Sequence, residues 1–155
     1  MQIVDYNPQK HYNDALNIFK DNSDMFSSWE IKTLFNELKK KGDNTDKKFV
    51  AIDYNQSISG YIEIKKPDDT KHTWEIYWLA VSKKTQRQGI GSKLMEIALE
   101  KIKDFGINKV FLDTCSCEGG IAARNFYDKC GFANVGEIPD YYNTGHSKVI
   151  FFRRI

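Results

Sequence analysis

The 155 residues of this chain are enough for one ordinary globular domain and leave no room for a second, so residues 1–155 are treated as a single domain. Hydrophobic residues make up 41% and charged residues 28%, which argues against a disordered or membrane-embedded chain. The formal net charge is only +2 and the two signs are interleaved, so we expect no nucleic-acid partner and no membrane partner.

The first third of the chain predicts one strand followed by two helices. Met1–Tyr6 is a short strand-like run, and Pro8 favours leaving the strand for a turn. Apolar residues then recur at helical spacing in two segments, one from Tyr12 and one from Trp29, which predicts two amphipathic helices. The apolar positions are Ala15, Leu16, Ile18 and Phe19, and then Trp29, Ile31, Leu34, Phe35 and Leu38.

A loop and a hairpin are predicted next. Lys39–Lys48 mixes charges with turn-forming residues, so it is interpreted as a solvated loop. Phe49–Tyr54 and Ile58–Ile64 are rich in β-branched and aromatic residues, and Asn55–Ser57 is a short turn-forming link between them. This pattern predicts an antiparallel hairpin. The polar stretch Lys65–Lys71 follows it.

The second half predicts a strand, a helix and another strand in succession. Thr73–Val81 is apolar or aromatic at most positions of both alternating faces, as expected for a central strand. Gly89 opens an amphipathic helix that Gly106 closes, and Lys109–Thr114 returns as a strand.

The C-terminal segment predicts one more helix and two strands. The helix covers Ile121–Cys130 and ends at Gly131, and the strands lie around Phe132–Ile138 and Ser147–Phe152. Pro139–Gly145 is interpreted as the loop that connects these strands.

Two glycines stand where the central strand ends and the next helix begins. The unpaired amides and partial positive charge of a helix start bind phosphate groups, and Gly89 and Gly91 allow a ligand to approach the backbone closely. A Gly-x-Gly turn also occurs for the turn alone, so the spacing by itself is weak. Neither the P-loop pattern nor the dinucleotide pattern fits, because Ser92-Lys93-Leu94 follows Gly91.

The segment Gln86-Arg87-Gln88-Gly89-Ile90-Gly91 does fit Gln/Arg-x-x-Gly-x-Gly, and in this it resembles the GNAT N-acetyltransferase superfamily. Ala123-Arg-Asn-Phe-Tyr127-Asp-Lys-Cys-Gly131-Phe132 looks like the second signature of that superfamily. Two departures are Gln86, where Arg is frequent, and Gly120, where Asn is frequent; Gly120 removes one possible cofactor contact. The resemblance covers roughly the C-terminal half.

The resemblance implies an α+β fold, with a mixed, mostly antiparallel sheet that splays at the cofactor site and about four flanking helices. It implies that acetyl-CoA is the cofactor, that its pyrophosphate lies on the turn, and that a primary amine, either a protein N-terminus or a small molecule, accepts the acetyl group. The cofactor-binding residues implied are Leu79, Ala80, Val81, Gln86, Arg87, Gln88, Gly89, Ile90, Gly91, Ser92, Asn125 and Tyr127. Backbone groups of Leu79 and Val81 would pair with pantetheine at a bulge.

Two residues are candidates for the chemistry of transfer. Glu75 lies in an apolar run, where an unpaired carboxylate is costly, and it matches the position of a general base in some members of the superfamily. Glu75 is alternatively a carboxylate at a hydrated strand end or one paired with a lysine. Tyr127 matches a tyrosine that stabilises the leaving thiolate, or it packs beside Phe126 and Phe132.

The acceptor side is less defined. Tyr141 and Tyr142 lie in a segment that resembles loops bordering the acceptor in amino-terminal acetyltransferases, or they are exposed aromatics of an ordinary hairpin. A non-catalytic acyl-CoA-binding or sensing domain remains the alternative function. The sequence leaves open a monomer or a homodimer.

Cysteine and histidine usage gives no metal site. Cys115, Cys117 and Cys130 are odd in number, and Cys115-Ser-Cys117 lacks the spacing of zinc ligands. No signal-peptide pattern or run of about 20 apolar residues is present, so a cytoplasmic location is expected. The three histidines are scattered and are assigned no chemistry.

Overall fold

A seven-stranded sheet organises the computed structural model, which describes all 155 residues. In chain order the elements are β1 (Gln2–Asp5), α1 (Pro8–Asp21), α2 (Ser28–Glu37), β2 (Asp46–Ile52), β3 (Ile58–Lys65), β4 (Thr73–Val81), α3 (Ile90–Asp104), β5 (Lys109–Cys115), a 3-10 turn (Glu118–Gly120), α4 (Ile121–Lys129), β6 (Ala133–Asn143) and β7 (His146–Arg154). The strands lie in the order β1-β2-β3-β4-β5-β7-β6. The predicted α+β fold with a mostly antiparallel sheet and four helices is confirmed, because only β4 and β5 run parallel.

The sheet opens between its two parallel strands. β4 pairs with β5 only over Thr73–Glu75, which faces Lys109–Phe111, and beyond Glu75 it pairs only with β3. The register between β3 and β4 shifts so that Tyr77 is an extra residue, which places the bulge just before the predicted Leu79. From Tyr77 to Val81 the β5-facing edge of β4 therefore has no neighbouring strand, and its backbone groups can pair with a ligand.

Apolar side chains cover both faces of the sheet. On one face, α3 buries Leu94, Ala98 and Ile102 against β2, β3 and β4, while on the other α1 and α2 bury Phe19 and Leu34. Each fully buried leucine, isoleucine or phenylalanine side chain contributes about 1.5–3 kcal/mol relative to exposure. The two cores fix α3 and α2 on opposite sides of the opening between β4 and β5. No helix is both long enough and apolar enough to span a membrane.

The first helix starts earlier than the sequence predicts. α1 begins at Pro8 and not near Tyr12. Asn7 caps it, since its side-chain oxygen accepts a hydrogen bond from the Gln9 amide at 2.9 Å, and a proline in the first turn has no amide that needs a partner. Pro8 therefore starts a helix here.

The predicted solvated loop Lys39–Lys48 is wrong at its C-terminal end, where β2 begins at Asp46. Lys48 is buried, and its ammonium donates to the Glu37 carbonyl at 2.8 Å and lies 3.3 Å from Asp46 and 3.8 Å from Glu63. This ammonium neutralises carboxylates and caps the C-terminal end of α2, so its burial is compensated. The prediction that Trp29 lies on the buried face of α2 is also wrong, because 75% of this residue is exposed.

The predicted loop Pro139–Gly145 is mostly strand. β6 continues to Asn143, and only Thr144 and Gly145 form the tip before β7. Ile138 faces Lys148 and Asn143 faces His146, so the residues between them bulge out of the ladder, with Asp140 at a φ of 53°. A long bulge replaces the expected loop.

Candidate active site

A cavity of about 350 Å³ lies where β4 and β5 diverge. Its walls come from β4, β5, α4, the start of α2 and the β6–β7 hairpin. Five residues singled out from sequence line this one cavity, namely Glu75, Leu79, Tyr127, Tyr141 and Tyr142. They are separated by up to 67 positions in the chain, and the topology of the sheet brings them together.

Glu75 is the last β4 residue that pairs with β5, at the inner end of the opening. Burial, and after it the nearby charge of Asp113, raise the pKa of its carboxyl to about 7, although Lys148 and Lys65 act in the opposite direction. The Glu75 carboxyl makes no ion pair within 4 Å. A carboxyl with this pKa changes its ionisation near neutral pH, as a general base requires.

Tyr127 is buried in α4, and its ring packs against Phe126, Phe132 and Phe151 at centroid distances of 5.6, 6.4 and 5.7 Å. Burial raises the pKa of its phenol, and the charge of Asp113 adds to the effect. The phenol therefore remains protonated and can donate a hydrogen bond into the cavity that it lines. Tyr127 thus packs against its aromatic neighbours and also lines the cavity, and its role towards a leaving thiolate stays a prediction.

The turn before α3 has the backbone geometry of an anion site. Arg87 and Gly89 have φ values of 62° and 80°, so the chain turns through the left-handed region twice. The amides of residues 87–92 donate no hydrogen bond within the protein, because the first helical amide with a partner is that of Lys93, which bonds to the Gly89 carbonyl at 3.1 Å. These free donors and the helix dipole favour a bound phosphate.

The remaining predicted cofactor residues fall into two groups. Ala80 and Ile90 are buried in the two cores, so only their backbone groups can reach a ligand. Gln88, Ser92 and Asn125 are exposed, and Asn125 lies on α4 outside the cavity lining.

Gln86 makes internal contacts. Its amide nitrogen donates to the Val81 carbonyl at 3.2 Å and to the Asn22 side-chain oxygen at 3.1 Å. Asn22, at the end of α1, donates in turn to the same Val81 carbonyl at 3.2 Å. Gln86 and Asn22 thus tie the turn to β4 and α1, a link that the sequence analysis did not find.

Gly120 leaves no room for an asparagine side chain, the residue expected there from the sequence resemblance, unless its neighbours shift. A Cβ atom there would lie 2.5 Å from the Cys115 carbonyl oxygen and 2.8 Å from the Arg124 guanidinium. Arg124 donates to the carbonyls of Cys115 and Cys117 at 2.6 and 3.0 Å, which fixes this packing. The absence of a side-chain contact from position 120 therefore follows from the local packing.

The structure adds two charged residues that sequence reasoning missed. Asp113 on β5 and Lys148 on β7 both line the cavity and lie 3.1 Å apart. The only available signal was a charged residue beside apolar ones in each of two predicted strands, Asp113 in Lys109–Thr114 and Lys148 in Ser147–Phe152. Phe26, Trp29 and Glu30 also line it, so the start of α2 forms its outer wall.

Comparison with known proteins gives one family. The sequence model of the Acetyltransferase (GNAT) family matches residues 14–132. A segment of 99 residues is 31% identical to N-alpha-acetyltransferase 30 of Schizosaccharomyces pombe. This segment covers 63% of this chain and 64% of that protein. The match thus spans slightly less than two thirds of the curated relative.

Two crystal structures share the fold over nearly the whole chain. One is a GNAT-family protein of Desulfovibrio desulfuricans, with a TM-score of 0.85 and 19% identity over 99% of this chain and 98% of that chain. The other is Ard1 of Thermoplasma volcanium, with a TM-score of 0.78 and 21% identity over 99% and 97%. At these identities the similarity concerns the fold.

Proposed function

This chain belongs to the acetyltransferase (GNAT) family, and from that premise we propose that it transfers the acetyl group of acetyl-CoA directly to a primary amine. One observation carries the proposal: the free amides of residues 87–92 adjoin the unpaired edge of β4, which leads into the cavity lined by Glu75 and Tyr127. The pyrophosphate would bind to these amides, and the pantetheine arm would pair with the β4 edge near Leu79 and Val81. The thioester would then lie in the cavity.

The cavity residues suit each step of the transfer. The amine nitrogen bonds to the thioester carbonyl carbon, the C–S bond breaks, and the amine proton passes to Glu75, directly or through water. The departing thiolate accepts a hydrogen bond from Tyr127. Because burial holds the phenol pKa of Tyr127 well above that of a thiol, the phenol stabilises the thiolate without transferring its proton.

The two classes of amine differ in the free energy needed to pass a proton to Glu75. With the pKa of Glu75 at about 7, moving a proton to it from a lysine side chain costs about 5 kcal/mol, against about 1 kcal/mol from an α-amine. We therefore propose an α-amine, such as a peptide N-terminus, as the preferred acceptor. The name of the fission-yeast relative, an N-alpha-acetyltransferase, supports this choice.

The test combines binding with transfer. Titration calorimetry measures acetyl-CoA binding. Mass spectrometry follows the acetylation of three acceptors: a peptide with a free N-terminus, a version of that peptide with a blocked N-terminus and a lysine side chain, and spermidine. We expect binding and preferential acetylation of the free N-terminus. Binding of acetyl-CoA without transfer to any of these amines would contradict the proposal and favour a non-catalytic acyl-CoA-binding domain.

A matched pair of variants isolates Tyr127. Tyr127→Phe is expected to lower the maximal rate about tenfold with acetyl-CoA affinity nearly unchanged, since one hydrogen bond to a charged group is lost. Tyr54→Phe removes the same atom from a side chain that is 90% exposed, so its rate is expected to equal that of the unmodified protein. Equal rates for both variants would leave Tyr127 a packing residue only.

We also propose a cytoplasmic location and a monomeric or homodimeric state. The three free thiols support a reducing compartment. Cell fractionation tests the location, and light scattering of the purified protein tests the oligomeric state.

A further inference from the structure

One carboxylate connects three strands at the wall of the cavity. Asp113 lies on β5, two residues beyond Phe111, the last β5 residue that pairs with β4. Its Oδ2 atom is 3.1 Å from the Lys148 ammonium of β7, and its Oδ1 atom accepts a hydrogen bond from the Tyr142 hydroxyl of β6 at 3.0 Å. Asp113 thus links β5, β6 and β7 where β5 has separated from β4.

The partners of Asp113 extend this contact into an aromatic wall. The Lys148 ammonium lies 4.6 Å from the centre of the Tyr141 ring, and the rings of Tyr141 and Tyr142 meet edge to face at 4.9 Å. The side chains of Asp113 and Lys148 are each 22% exposed, so their ion pair is less screened by solvent than a surface pair. We call these four residues the Asp113 wall.

Backbone pairing holds Asp113 and Lys148 in this wall but not the two tyrosines. Between Ile138 and Asn143 the β6 backbone leaves its ladder with β7, and the segment with Tyr141 and Tyr142 bulges out. A hydrogen bond from the Gly145 amide to Asp140 closes the hairpin tip but does not reach β5. The position of the two tyrosines over the cavity therefore depends on their side-chain contacts with Asp113 and Lys148.

We propose that Asp113 is a positioning residue for the acceptor amine, because it clamps Tyr142 and Lys148 and so preforms the acceptor-side wall of the cavity. This inference rests on the proposed transferase function. A preformed wall binds its substrate without the entropic cost of ordering a loop, so loss of the clamp weakens acceptor binding more than it slows the chemical step.

The clamp, meaning the contacts of Asp113 with Tyr142 and Lys148, also affects the ionisation of Glu75. The charged groups that act on Glu75 are Asp113, Lys148 and Lys65, and Glu30 and the phenols of Tyr77, Tyr127 and Tyr142 share the cavity. Asp113 favours the protonated form of Glu75 and Lys148 favours the ionised form, so the two partners act on the pKa of Glu75 in opposite directions, Asp113 more strongly. Removing either partner alone shifts the ionisation of Glu75, in opposite directions.

Variants separate the mechanical role from the electrostatic one. Tyr142→Phe removes only the hydrogen bond, so KM for the free-N-terminus peptide is expected to rise about tenfold with kcat changed less than about twofold. Asp113→Asn is expected to raise KM similarly and to move the low-pH limb of kcat to lower pH. Lys148→Met is expected to move that limb to higher pH. Asp113→Asn with Lys148→Met should return the limb towards its original position while KM stays high.

Asp69→Asn is the matched control, because Asp69 is exposed, makes no ion pair and lies outside the cavity. It is expected to change neither KM nor the pH profile. An unchanged KM in both Asp113→Asn and Tyr142→Phe, in proteins that retain the original thermal stability, would overturn the positioning role.

Hydrogen exchange provides a readout that needs no turnover. The amides of residues 140–143 are expected to exchange faster in Asp113→Asn and not in Asp69→Asn. If the unmodified protein acetylates none of the three amines but this acceleration occurs, the proposed function fails and the clamp is still supported. Equal exchange rates in Asp113→Asn and the unmodified protein refute the clamp, whatever the turnover.

Discussion

Glu75→Gln tests whether Glu75 is the general base, through the pH dependence of the ratio between the transfer rates of the unmodified protein and the variant. At pH 6 about one tenth of a carboxyl with a pKa of about 7 is ionised, and at pH 8 about nine tenths is ionised. The glutamine variant has no such group. The ratio of the unmodified to the variant transfer rate should therefore rise about tenfold from pH 6 to pH 8 and then level off.

The size of the plateau follows from the role of the base. General base catalysis is typically worth about 100-fold to 10,000-fold, so the ratio above pH 8 should lie in that range. The assay is single-turnover acetylation of one peptide with a free N-terminus, at saturating acetyl-CoA and peptide. Because both proteins use the same amine, its own ionisation cancels in the ratio.

The result that refutes the reasoning is a ratio independent of pH between 6 and 8. In that case the acceptor amine loses its proton to solvent, and Glu75 is a structural carboxylate. Calorimetric binding of acetyl-CoA to Glu75→Gln is the control, and its affinity should equal that of the unmodified protein because the turn before α3 is untouched.

Three further predictions concern the cofactor turn, the core and the buried charges. Gly89→Val should weaken acetyl-CoA binding about tenfold or more, as measured by calorimetry. Gly106 has a similar positive φ and open surroundings, so Gly106→Val is the control and should leave the affinity unchanged. Both substitutions strain the backbone by about 1–2 kcal/mol. Phe19→Ala should lower the free energy of unfolding in urea by about 3–5 kcal/mol, because Phe19 is fully buried among three aromatic rings, while Phe35→Ala, at 39% exposure, should cost less than half as much. Burial raises the pKa of Glu63 to about 7, so the folded state binds more protons than the unfolded state between pH 4.5 and 7. The free energy of unfolding therefore falls as pH rises through this range. Glu63→Gln should flatten this dependence of the free energy of unfolding on pH, as measured by urea titrations. A slope unchanged by Glu63→Gln, an unaltered affinity in Gly89→Val, or equal losses in the two phenylalanine variants would contradict the respective prediction.

Much of the fold and part of the site could be predicted because their signals lie within single elements. The apolar run Thr73–Val81 and the helical spacing after Gly89 identify β4 and α3, since buried faces repeat every two residues in a strand and every 3.6 in a helix. The glycine spacing places the turn between them, and a carboxylate within an apolar run singles out Glu75. These inferences need only neighbouring residues.

The charged residues on the acceptor side of the cavity were identified by the tertiary structure alone. Asp113 and Lys148 are 35 positions apart, and their ion pair exists because β5 lies antiparallel to β7 with Thr114 facing Val149. Lys48 was predicted to be solvated but is buried, because β2 brings it against two carboxylates and the end of α2. Whether a charged side chain is exposed, paired or part of a site depends on strand order and register, and these are set by the packing of the whole sheet and not by any local run of residues.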